Sequence, residues 1–169
     1  MSKKNSLVGI FVIFLTIILP TTVLNNIAFK GIKPDFAVIM IILISNNLGS
    51  IRGQLLGFFS GLVEDFLSLS PFGFSALIKS VLGYLGGTTE GKIFLDPIVV
   101  PIIFVFIGTI IKSFLAFLLI LIFSPEKSGS VFSISLLIEI SMNVIFTPFL
   151  YLILKIIRVL PTSGNSKIS

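Results

Sequence analysis

From Pro97 to Phe123 the sequence carries one charged side chain, Lys112, and from Leu7 to Phe29 it carries none. Runs of this kind dictate the solvent before they dictate a fold. A hydrocarbon core about 30 Å thick needs about 20 apolar residues per helical span. Within it every backbone N–H and C=O must be paired inside the segment or around a closed barrel. The apolar residues here are continuous rather than alternating with period two, which favours helices over a membrane β-barrel. Composition agrees: 55% of the 169 residues are hydrophobic and 11% are charged, and the mean hydropathy of +1.17 is beyond that of an ordinary soluble domain. The expected fold class is all-α, a polytopic transmembrane bundle of about six helices. It forms one integral membrane domain over residues 1–169, with no soluble domain left over.

Punctuation along the chain places the spans. The first is expected over 7–29, kinked at Pro20; Lys3 and Lys4 precede it, but no A-x-A-like cleavage site follows, so it reads as an uncleaved helix. "KPDF" starts the second, over 35–48, with Pro34 suited to a first helical position and Asp35 to the positive end of the dipole. After the tight "GSIRG" loop a third span, 54–69, turns through "SPFG". There Ser70, Pro71 and Gly73 suit the first, second and fourth positions of a type I turn. The fourth span is 74–87. Asp96 and Pro97 read as N-cap and first residue of the fifth, 97–123, and "SPEKSGS" separates it from a sixth, 131–157. With both termini cytoplasmic, Lys3, Lys4, Arg52, Lys92, Lys155, Arg158 and Lys167 fall inside and only Lys30, Lys33 and Lys127 outside. The formal charge of +5 is therefore read as topology against a lipid bilayer; nothing clusters it into a nucleic-acid patch.

The sequence has no cysteine and no histidine. That removes Cys/His zinc sites, thiol nucleophiles, disulfides and the Ser-His-Asp triad, and no cofactor is implied. What remains at membrane depth is Glu64, Asp65, Lys79, Lys112 and Glu139. Each costs about 2.5–3.5 kcal/mol at the bilayer centre if unpaired, so each should face protein. Glu64 and Asp65 are adjacent and point about 100° apart on a helix, unlike the facing carboxylates of an aspartyl dyad. No enzyme is expected. Proton or ion coupling is disfavoured by the two nearby lysines, which suit fixed pairs.

Small residues recur at every fourth position. Gly53, Gly57 and Gly61 lead to Asp65 on the third span; Ser75 and Lys79 lead to Gly83 and Gly87 on the fourth. Such rows let helices approach closely, either within the chain or against a partner. Counting from the turn at 1.5 Å per residue puts Lys79 at the depth of the two acids, so it should pair with Asp65 or Glu64. On the sixth span Ser135, Glu139, Asn143, Thr147 and Tyr151 make one side polar, Lys112 is a plausible partner for Glu139, and Pro148 should bend the helix.

"KPDF", "RGQLLGFFSGLVEDFLSLSPFGFSALIKSVLGYLGG" and "NVIFTPFLYLILKIIR", in that order, resemble the rod shape-determining protein MreD family over roughly residues 33 to 158. The resemblance places the family's motif positions on Pro34, Asp35, Gly53, Gly57, Gly61, Asp65, Pro71, Gly73, Asn143 and Pro148; Glu64 and Lys112 have no counterpart in it. It implies a non-catalytic component of the bacterial cytoplasmic membrane that supports lateral peptidoglycan synthesis and cell shape. MreC is the foremost implied partner, with RodA, a penicillin-binding transpeptidase and MreB engaged directly or indirectly. The family is similar in architecture to the substrate-capture subunits of energy-coupling-factor vitamin transporters, which supply the alternative function. The first span lacks the A-x-x-x-A-like docking patch usual in those subunits.

Overall fold

The structure, a computed structural model, describes residues 31–68, 71–89, 99–123 and 134–156. Among them it is all-helical: α1 is Phe36–Leu48, α2 Ser50–Ser68, α3 Phe74–Gly87, α4 Val99–Phe123 and α5 Ile134–Ile156. These correspond to the second through sixth spans of the sequence reading. The first span, Ser70, the Asp96–Pro97 cap and the "SPEKSGS" segment lie outside the described residues.

α1 is the hub. The Asp35 side chain caps it, accepting from the Val38 N–H at 3.0 Å. Pro34 therefore stands just ahead of the cap rather than at the first helical position. At about 20 Å, α1 is shorter than a hydrocarbon core. It packs against all four other helices, and every residue from Phe36 to Ser45 is buried. A helix surrounded in this way needs apolar side chains all round, which "FAVIMIILIS" supplies.

"GSIRG" is not a loop. α1 stops at Gly49, whose φ of 82° and ψ of 168° break the helix, and α2 resumes at Ser50, four residues before the expected start. The Gly49 carbonyl already accepts from Gly53 N–H at 2.8 Å. One residue thus reverses the chain, a sharpness that only a residue without Cβ adopts readily.

The second reversal also differs by one position. The Phe74 N–H donates to the Pro71 carbonyl at 3.1 Å, making Pro71 the first residue of the turn. Gly73, at φ 94° and ψ −9°, is its third residue. Those angles belong to the third position of a type II turn, where glycine is favoured because φ is positive.

α4 and α5 are each long and apolar enough to cross a membrane. Both turn large apolar side chains outward, including Phe106, Ile110, Phe114 and Leu121 on α4 and Leu137, Ile145, Phe149 and Leu152 on α5. α2 does the same with Ile51, Leu55, Phe59 and Phe66. An apolar exterior on this scale is unsuited to water and suited to lipid.

Candidate functional site

The glycine rows meet each other. α2 and α3 form an antiparallel hairpin in which a Cβ on Gly53 would strike the Gly83 carbonyl, one on Gly57 the Lys79 carbonyl, and one on Gly61 the Ala76 backbone. From the other side, a Cβ on Gly83 would strike the Gly53 carbonyl. Gly87 sits against the Gly49 joint, where a Cβ would overlap its backbone. Backbones in such contact gain dispersion energy along the whole seam, the main attraction between helices in lipid. The sequence left open whether this stripe packs internally or faces a partner; in the fold both rows are occupied within the chain.

At the hairpin tip the two adjacent acids do different work. Asp65 is buried and does not pair with Lys79. Its Oδ2 accepts from the Gly73 N–H at 2.9 Å and the Ala76 N–H at 3.3 Å, and its Oδ1 from the Ser75 N–H at 2.9 Å. These are the orphan donors at the start of α3, which Gly73 has no side chain to cap. A carboxylate delivered from the neighbouring helix satisfies them and meets the positive end of the α3 dipole. Lys79 pairs instead with Glu64. The Lys79 side chain is 3% exposed and that of Glu64 37% exposed, so the carboxylate reaches inward to a buried ammonium.

A second polar cluster joins the start of α1 to α4 and α5. Lys112 Nζ lies 2.5 Å from Glu139 Oε1 and 2.7 Å from Asp35 Oδ2, so one ammonium serves two carboxylates from different helices. The Asp35 backbone N–H donates to Asn143 Oδ1 at 2.9 Å. Asn143 Nδ2 in turn donates to Thr109 Oγ1 at 3.1 Å. The Thr109 and Thr147 hydroxyls turn back onto their own helices, donating to the carbonyls of Val105 at 2.8 Å and Asn143 at 2.6 Å. Beside the cluster, Phe36 meets Phe146 edge-on with ring centroids 5.2 Å apart. Among the described residues every buried side-chain nitrogen and oxygen finds a partner.

The sequence reading put Lys112 beside Glu139 but missed Asp35 as its second partner, because Asp35 was assigned only to the α1 dipole. The one signal available was that an Asp at a span terminus and a Lys midway along another span share a depth only if the first span is short. Thr109 was missed entirely; a lone threonine on an apolar helix more often bonds its own backbone. Pro148 lies inside α5. It has no N–H for the Val144 carbonyl one turn earlier, which loosens that turn.

This arrangement can hold helices together and fix their register. Among the described residues no group of three His, Cys, Asp or Glu is placed to bind a metal ion. The family model for the rod shape-determining protein MreD matches residues 1–157. No curated protein and no solved structure matches the chain.

Proposed function

The chain belongs to the MreD family of rod shape-determining membrane proteins, and on that premise we propose that it serves the bacterial elongation machinery as a non-catalytic membrane component. In this reading it supports lateral peptidoglycan synthesis through contact with MreC. RodA, a penicillin-binding transpeptidase and MreB are engaged directly or through that contact. The protein sits in the cytoplasmic membrane as a six-span bundle, residues 7–29 supplying the first span, with both termini on the cytoplasmic side. Its architecture is of the kind used by the substrate-capture subunits of energy-coupling-factor transporters, turned to assembly rather than uptake.

The observation that carries this reading is the family match along 157 residues. The geometry supports it. The intramembrane charges and the glycine rows are engaged in holding the chain's own helices together, so the groups most readily read as chemistry have structural partners. What the protein offers outward is apolar helix surface, suited to lateral association in a bilayer.

Depletion of the protein from growing rod-shaped cells tests the proposal. Rounding with vitamin uptake intact is the expected result, together with loss of the protein from MreC pull-downs when the hairpin is broken by Gly57→Leu. Cells that keep their shape but lose uptake would overturn it.

A further inference from the structure

The two halves of the described fold are joined unequally, and the inequality points to motion. α1, α2 and α3 are locked by backbone contact: the glycine seam runs the length of the hairpin, and Gly49 and Gly87 close it against the end of α1. α4 and α5 pack on this unit through α1 and, for α4, also α3; neither touches α2. Among the described residues, the hydrogen bonds and ion pairs that tie α4 and α5 to α1–α3 are concentrated where α1 begins, at Asp35, Lys112, Glu139 and Asn143.

Toward the Gly49 end the character of the contact changes. Ile42, about 10 Å farther along α1, lies close to Gly108, where an added Cβ would meet its Cδ1. Val105, Leu150 and Leu154 complete the same apolar cluster. In water such a contact would hold by the hydrophobic effect. In lipid that force is absent, because acyl chains are as apolar as leucine, and close packing alone opposes the exchange of protein for lipid there. At the polar junction the exchange would also break hydrogen bonds and ion pairs, since hydrocarbon gives those groups no partner. Pro148, with its released Val144 carbonyl, stands on the apolar side of Asn143, between the polar junction and Leu150 and Leu154.

We propose that the α4–α5 pair is an arm that pivots on the Asp35–Lys112–Glu139–Asn143 junction and parts from the hub at its Gly49 end, with Pro148 as the compliant point in α5. The junction is the fulcrum, and the apolar contact beyond it opens and closes. A bundle built this way has two arrangements separated by lipid entry beside α1, which gives the fold a conformational variable that a partner in the bilayer can bias.

The absence of native cysteine makes spin labelling clean. Ile51, Phe66, Ile103 and Phe114 are exposed. Paired cysteines at Ile51 and Ile103 report the Gly49 end, and at Phe66 and Phe114 the junction end, of the full-length protein in lipid nanodiscs. Pulsed electron-electron distance measurements should show two distance peaks for the first pair and one narrow peak for the second. Pro148→Ala should weaken the longer peak of the first pair while leaving the second pair unchanged. Lys112→Met, which removes the fulcrum, should broaden the second pair as well. A single narrow peak at both ends would overturn the proposal, as would equal breadth at both ends in the unsubstituted protein. So would a Pro148→Ala distribution identical to the parent at the Gly49 end.

Discussion

Asp65 and Glu64 show how much one position along a helix decides. Asp65 serves three backbone donors of α3, so Asp65→Ala leaves them without a partner near the membrane. A loss of about 2 kcal/mol is expected, with Asp65→Asn milder because an amide oxygen still accepts. Thermal unfolding of the purified protein in detergent reads both. Glu64 has a different signature. Removing it leaves a buried ammonium uncompensated, whereas removing Lys79 leaves a half-exposed carboxylate that water or headgroups reach. Glu64→Gln should therefore destabilise more than Lys79→Met, and the double variant should be milder than Glu64→Gln alone. A coupling of about 1–3 kcal/mol is expected, below that of a fully buried pair. A larger coupling between Lys79 and Asp65 than between Lys79 and Glu64 would contradict the observed pairing. Depth along the span was legible in the sequence and named Asp65 and Glu64 as the alternatives for Lys79, of which the fold uses Glu64. Which of two neighbours faces the lysine depends on how the α2 and α3 rows cross, and spacing alone does not contain that angle.

At the level of elements, the glycine seam sets the strictest demand. A methyl group on Gly57 would fall on the Lys79 carbonyl, a backbone atom that cannot rotate away. Gly57→Ala should cost about 1–3 kcal/mol, and Gly57→Leu should part the hairpin. Leu55→Ala, on the outward face of the same helix, should stay within about 0.5 kcal/mol. Melting temperatures and steady-state protein levels compare the three; equal losses would mean the seam is not the tight surface described. Recurrence at every fourth residue made this seam readable from sequence, because small residues at that spacing have few other uses in a membrane helix. The α1–α2 joint was not readable in the same way. Gly49, Ser50 and Gly53 together resemble a loop, and only the backbone shows that Gly49 alone turns the chain while Gly53 belongs to the seam. Asp35 and Lys112 meet for a related reason: α1 is a short helix inside the bundle, and a reading that treats each span as a full crossing cannot set their depths equal.

For the molecule as a whole, its charges give it a direction. Among the described residues Lys33, Asp35, Glu64, Asp65, Lys79, Lys112 and Glu139 gather toward the hairpin-tip end, while Arg52 and Lys155 stand toward the end where Gly49 turns the chain. In the proposed orientation, with Arg52 and Lys155 on the cytoplasmic side, Phe72→Cys at the exposed tip should react with a membrane-impermeant maleimide from outside the cell. Ile51→Cys should react only after the membrane is opened. The reverse pattern would invert the orientation without disturbing the fold. The helical class and the membrane setting followed from long uncharged runs, which admit few other structures. How the helices divide into a locked hairpin and a polar-anchored pair depends on contacts distant in sequence, such as Asp35 with Asn143, and no local pattern announces those.

The cap that Asp65 places on α3 also imposes an order on synthesis. α2 emerges from the ribosome first, carrying Arg52, Glu64 and Asp65, while the lysine and the backbone donors that satisfy its two acids belong to a helix not yet made. Alone, it would have to bring two unmatched carboxylates into hydrocarbon. The two helices are therefore expected to enter the bilayer as one hairpin, and a nascent chain halted before Phe74 should leave α2 outside the membrane, which protease accessibility of arrested chains would check.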